Sequence, residues 1–215
     1  FPDEVGGRMC YNLVQQIEAK SANVTVERVW TEPWPKIHLR YRNVTKVYFR
    51  AVPYDFEQRL NSRTHHPEYL DHNEQGALLQ RKPALTWEAD LPATDDYQQR
   101  VEELPAPKVL KPGFYFLVAS HDPEFRQANN RVSYAAFWIS KLALVTRTRH
   151  GEPVLGGFVL EATSGDPVAG AKVRLWRKES RNRWTEGKST TTDKNGLFRL
   201  RPPQQHARQE RRRLE

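Results

Sequence analysis

The chain has one cysteine, Cys10, and one methionine, Met9, among 215 residues. A lone thiol can form no intramolecular disulfide, so stability has to come from buried apolar surface. No apolar run approaches the eighteen or so residues that a helical membrane span needs, so no direct membrane insertion is expected. A leader is also missing, because the chain opens at Phe1 without an initiator Met or a signal peptide. It therefore reads as a piece of a longer protein, with Leu214-Glu215 as the scar of an appended tag, and an upstream signal remains open. Catalytic patterns are absent too: no Ser or Cys nucleophile has an evident base, no Gly-rich phosphate loop follows a strand, and no carboxylate pair sits on a recognisable scaffold. Asp95-Asp96 and Glu102-Glu103 are adjacent pairs, which on a strand point to opposite faces. No catalytic, cofactor-binding, metal or thioester residue is assigned, and an enzyme is not expected.

Acid is the scarcer charge, with 26 Asp and Glu against 34 Lys and Arg for a net charge of +8. Half of that excess lies between Arg199 and Glu215, where six arginines meet only Glu210 and Glu215. A nucleic-acid surface would place aromatics among the basic residues of a folded element. The run Arg211-Arg212-Arg213 has none, so it reads as a solvated tail and nucleic acid is not an expected partner. His65, His66 and His72 form the one histidine cluster, but their spacing matches no common zinc pattern and no Cys supports it. Cys10, between Met9 and Tyr11, is expected to be buried and inert, since a reactive thiol needs a neighbouring cation or a helix N-terminus.

The stretch Gly157–Leu200 is the most informative. Phe158, Leu160 and Ala162 alternate with Val159 and Glu161, so one face can be buried. Ser164-Gly165-Asp166-Pro167 reverses the chain, with positive φ at Gly165 and fixed φ at Pro167. Val173 and Leu175 alternate with charges and should face a core. Asp193-Lys194-Asn195-Gly196 is a second turn, with Asn-Gly supplying positive φ; Asp193 and Asn195 are turn formers rather than calcium ligands, because the other acids of a calcium loop are missing.

Upstream, Met9, Leu13, Val14 and Ile17 recur at helical spacing and predict a short amphipathic helix that packs on or links into the first domain. From Ser21 the period becomes two. Residues 23–30 read as one strand, Ile37, Leu39 and Tyr41 alternate with His38 and Arg40 in the next, and residues 44–52 form a third. Tyr54–Leu60 can form a helical turn or two, and 61–80 reads as a mobile polar insertion. Leu85–Ala89, Tyr97–Leu104 and Phe114–Ser120 follow as strands. The apolar stretch 132–145 divides near Ile139-Ser140-Lys141. The expected architecture is all-β: two tandem immunoglobulin- or fibronectin-like antiparallel β-sandwich domains after a short N-terminal helix. Residues 1–20 are the helical linker, 21–138 the first sandwich, 139–203 a second and truncated one of about five strands, and 204–215 the basic tail. Trp34 and Trp184 are candidate stacking platforms for a carbohydrate-binding or adhesion module, with corner packing as the plainer reading.

Several phrases together resemble the bacterial α2-macroglobulin family. They are Gly7-Arg8-Met9-Cys10-Tyr11-Asn12-Leu13, Glu27-Arg28-Val29-Trp30, Tyr41-Arg42-Asn43-Val44, Lys46-Val47-Tyr48-Phe49-Arg50 and Phe137-Trp138-Ile139-Ser140. To these add Ser164-Gly165-Asp166-Pro167-Val168-Ala169-Gly170-Ala171 and Thr192-Asp193-Lys194-Asn195-Gly196, which carboxypeptidase-regulatory-like modules share. The resemblance implies macroglobulin-type domains from a non-catalytic scaffold that traps proteases in the periplasm or cell envelope. It implies neighbouring macroglobulin domains and target proteases as partners. The family's Cys-Gly-Glu-Gln thioester is not present, and Cys10 is followed by Tyr11, so that role is not carried over.

Overall fold

Ile37, Leu39 and Tyr41 expose no surface, while His38 and Arg40 between them are exposed. That period-two pattern is how a strand presents one face to a core, and it recurs through most of the chain. The computed structural model describes residues 4–62, 66–128, 130–148, 154–179 and 183–201. These fall into two compact units, Tyr54 and Glu68 closing the first on either side of an excursion and Ile139 ending it; Asp55–Pro67 and the residues from Ser140 onward form the second. Pro202-Pro203, the tail at 204–215 with Arg211-Arg212-Arg213, and His65 lie outside the described residues.

The first unit starts with helix α1 (Val5–Glu18). Its strands are β1 (Ser21–Thr25), β2 (Val29–Trp30), β3 (Lys36–Arg42), β4 (Lys46–Tyr54), β5 (Leu85–Asp90), β6 (Arg100–Pro105), β7 (Gly113–Ser120) and β8 (Ser133–Ile139). They form two sheets, ordered β1-β3-β6 and β2-β8-β7-β4-β5. One core joins them: Ala22, Val24, Ile37, Leu39 and Tyr41 from the first sheet pack with Val47, Phe49, Ala51, Tyr115, Leu117 and Phe137 from the second. The polar ends of its aromatics are satisfied. Tyr41 Oη donates to the Pro92 carbonyl at 3.0 Å, Trp30 Nε1 to Glu27 at 3.1 Å and Tyr115 Oη to Lys111 at 2.9 Å.

The expected strand over 23–30 is two strands. Val24 N–H goes to Ser133 Oγ, and the chain then leaves for the other sheet, where β2 pairs in parallel with β8 and Trp30 stacks on Phe137 at 3.9 Å. Burial of the Trp30 indole in the core decides this break. The stretch 61–80 is also not irregular throughout. It holds helix α3 (His72–Leu79), whose Asp71 and Glu74 close a reciprocal capping box, and Leu70 and Leu78 are buried. Asp95-Asp96 lies in a turn rather than a strand, with Asp96 accepting from the Gln98 N–H and from Arg100.

The second unit holds helix α2 (Phe56–Asn61) and strands β9 (Leu142–Thr148), β10 (Leu155–Glu161), β11 (Lys172–Lys178), β12 (Trp184–Thr191) and β13 (Leu197–Leu200). The strands form a β13-β10-β9 sheet and a β11-β12 ribbon. Asp55 caps α2 by accepting from the Gln58 N–H, and Glu57 pairs with Arg174 of β11. The small core gathers Val159, Phe198 and Leu200 with Leu155, Val173 and Leu175.

Of the two faces of β10, Gly157 and Val159 point inward and Phe158 points out. Gly157 decides the matter. A Cβ there would stand 2.1 Å from the Val145 carbonyl oxygen and 2.9 Å from the Phe198 ring, which covers the glycine across the β10–β13 pair. The turn at Asp193 forms as expected, with Asp193 Oδ1 accepting from the Asn195 and Leu197 N–H groups, but only Gly196 of the Asn-Gly pair has positive φ. Buried Thr192 ties both turns together: its hydroxyl accepts from Ala171 N–H at 2.8 Å and donates to the Val168 carbonyl at 2.6 Å. Gly157→Ala is expected to destabilise the second unit by about 1–3 kcal/mol through overpacking. Gly156→Ala should stay within about 0.5 kcal/mol, because its Cβ meets only backbone at ordinary distance. Thermal melts of the two variants check the contrast.

Candidate functional site

The titratable side chains singled out in the sequence do not converge. Among the described residues, no group of three or more His, Cys, Asp or Glu could hold a metal ion. His66 is exposed and His72 is the exposed first residue of α3. His38 sits on the outer face of β3, 3.9 Å from Glu103. The ammonium of Lys36, which hydrogen-bonds Glu103, holds that carboxyl below the usual range. Glu102 and Glu103 do lie on opposite faces of β6. His121 is pushed below the ordinary imidazole value by burial and by Lys20, and its Nδ1 has no hydrogen-bond partner. Trp34 packs against the first core and Trp184, at the start of β12, is half-buried.

Cys10 is exposed, which corrects the expectation of a buried thiol. The reason lies in α1, of which no residue is buried. Its apolar stripe faces outward, with Met9 67% and Leu13 57% exposed. The helix is attached by its C-terminal end. Arg42 Nη2 donates to the Gln16 carbonyl at 2.7 Å, and Asn43 Nδ2 to Ile17 and Ala19 at 2.6 and 3.2 Å. These bonds satisfy carbonyls that a helix end leaves open. Asn43 reaches them from the left-handed region, φ 56°.

The densest charge cluster closes the β11–β12 hairpin. Glu179 receives Arg183 at 2.7 Å, Arg177 at 3.0 Å and the Thr185 hydroxyl at 3.1 Å. Arg183 first, then Arg177 and Thr185, holds its carboxyl down at about 2. This knot ties the two strands of the hairpin together at its closed end.

A hollow of about 680 Å³ opens on the outer face of the β13-β10-β9 sheet. Gly156 forms its floor, flanked across the strands by Arg199 on β13 and Arg147 on β9. Phe158 and Leu197 make an apolar wall, and Arg201 stands at the rim. The sequence reading passed over this site, because it arises from cross-strand register. The signal that could have found it is Gly156 one position from Gly157, with only one of the two needed by the core.

No protein-family model matches the sequence, and no curated protein sequence matches it. Among solved structures, the chain is similar to native α2-macroglobulin of Escherichia coli spanning domains NIE-MG1, with a TM-score of 0.61 at 16% identity over 87% of this chain and 89% of that one. It is similar to a longer piece spanning MG0-NIE-MG1, with a TM-score of 0.63 at 18% identity, covering 86% of this chain and 58% of that one. In the native E. coli α2-macroglobulin reconstruction the TM-score is 0.50 at 17% identity, and the match spans 12% of that chain.

Two measurements follow. Ellman's reagent should modify one thiol within minutes in native buffer; protection until denaturant is added would contradict the exposed α1 face. A carboxyl NMR titration should place Glu179 near 2, well below its ordinary value of 4.5. A depressed pKa means that its stabilisation is complete above the ordinary value and fades as pH falls through about 2. Glu179→Gln should abolish that part of the acid dependence. The chain has the β-sandwich fold of the NIE-MG1 domains of bacterial α2-macroglobulin.

Proposed function

We propose that this chain is a non-catalytic scaffold segment of a bacterial α2-macroglobulin-like protein that traps proteases at the cell envelope. The observation that carries the reading is the shared fold over 87% of the chain with the NIE-MG1 domains. The sequence phrases around Val29-Trp30, Tyr41-Arg42-Asn43 and Thr192-Asp193 support it from the same side. No described helix is long and apolar enough to cross a membrane, which is compatible with an envelope location.

The proposed partners are neighbouring macroglobulin domains and, through the whole protein, target proteases. Helix α1 supports the first. It carries two glycines, has no side-chain N-cap and buries nothing. A helix of that length is marginal in water, and its apolar stripe is the kind of face that another domain covers. The test uses the full-length protein mixed with an active endopeptidase. The expected result is loss of cleavage of a large protein substrate while a small chromogenic peptide is still hydrolysed. Unchanged cleavage of both, with the scaffold intact or degraded, would contradict the reading.

A further inference from the structure

We infer that the arginine-lined hollow on the outer face of the β13-β10-β9 sheet is a docking site for an extended acidic peptide segment of a partner protein. The register places Arg147, Gly156 and Arg199 side by side in one row across three strands. Neighbouring strands lie about 4.8 Å apart, so each arginine position is one spacing from the glycine and the two lie about twice that apart. Val145, Phe158 and Leu197 form the next row on the same face.

The charge in this row is uncompensated. On the β11–β12 ribbon the arginines have acids: Arg174 has Glu57 and Glu186, and Arg177 and Arg183 share Glu179. Arg147, Arg199 and Arg201 have no acidic partner among the described residues. Guanidinium groups pair with carboxylates through two parallel N–H donors, so the missing component is anionic.

The shape narrows the class. The hollow, at about 680 Å³, is far larger than one inorganic anion. Its wall of Phe158, Leu197 and Val154 is apolar. Carboxylates on alternate residues of an extended chain repeat at roughly 6.8 Å, and Arg199 on β13 is followed two residues on by Arg201 at the rim. The residues between could rest on Phe158. A single aromatic is too few for a nucleic-acid stacking platform.

Gly156 is what keeps the hollow open. A Cβ there would lie 3.6 Å from the Phe198 carbonyl and 4.0 Å from that of Arg147, ordinary contacts. Packing therefore does not demand glycine at this position, unlike at Gly157. A larger side chain would rise between the two arginines and fill the space.

The test is fluorescence anisotropy with a labelled peptide of alternating glutamate and threonine against the intact chain. Saturable binding should weaken as NaCl rises from about 0.05 to 0.5 M. It should be lost with a glutamine-threonine peptide. Arg147→Glu with Arg199→Glu should weaken it at least about tenfold, the effect of losing paired charges. Gly156→Leu should do the same without removing charge, and Arg147→Gln with Arg199→Gln serves if the leucine variant fails to fold. No saturable binding, equal affinity for the glutamine peptide, or unchanged affinity in folded variants would overturn the proposal. So would a heparin oligosaccharide that binds through the same arginines more tightly than the peptide. Protease trapping by the full-length protein is a separate measurement, so failure of either reading leaves the other standing.

Discussion

Strand β7 is buried on both faces, and the first unit depends on that. Tyr115, Leu117 and Ala119 meet Ile37, Leu39 and Tyr41 across the sandwich, while Phe114, Phe116 and Val118 are covered on the opposite side. Each fully buried side chain of this size contributes about 1.5–3 kcal/mol. With no disulfide available, that packing supplies the rigidity. The neighbours of β7 inherit their positions from it: β4 and β8 pair along its two edges, and β2 and β5 attach outside them.

The second unit has a thinner core and relies on backbone constraints. Gly157 lets β9, β10 and Phe198 close together, and Thr192 bonds two turn segments at once. Its sheet leaves β9 and β13 paired on one side only among the described residues. Leu142, Leu144 and Val145 of β9 are exposed.

Much of this was legible in the residues. The alternation of Ile37, Leu39 and Tyr41 and the turns at Gly165 and Gly196 follow from period and turn chemistry. What was missed has identifiable causes. The two-residue β2 is too short to show a period, and a buried Trp30 rather than a pattern places it. The capping box of α3 was present as Asp71 and Glu74 but sat inside a polar stretch read as loop. The alternation along β10 left its inward face open because Gly157 carries no hydrophobicity, and close approach makes the glycine the inward position. The arginine row needed the register of three strands, and the exposure of Cys10 depended on what covers α1.

The central claim is a rigid core in β4, β7 and β8 of the first unit with an open face on α1, and, in the second unit, an open edge strand β9. Backbone hydrogen–deuterium exchange on the isolated chain tests it most directly. The account predicts the slowest exchange in β4, β7 and β8, with α1 and the edge of β9 exchanging far faster. Protection of α1 or β9 equal to that of β7 would contradict it.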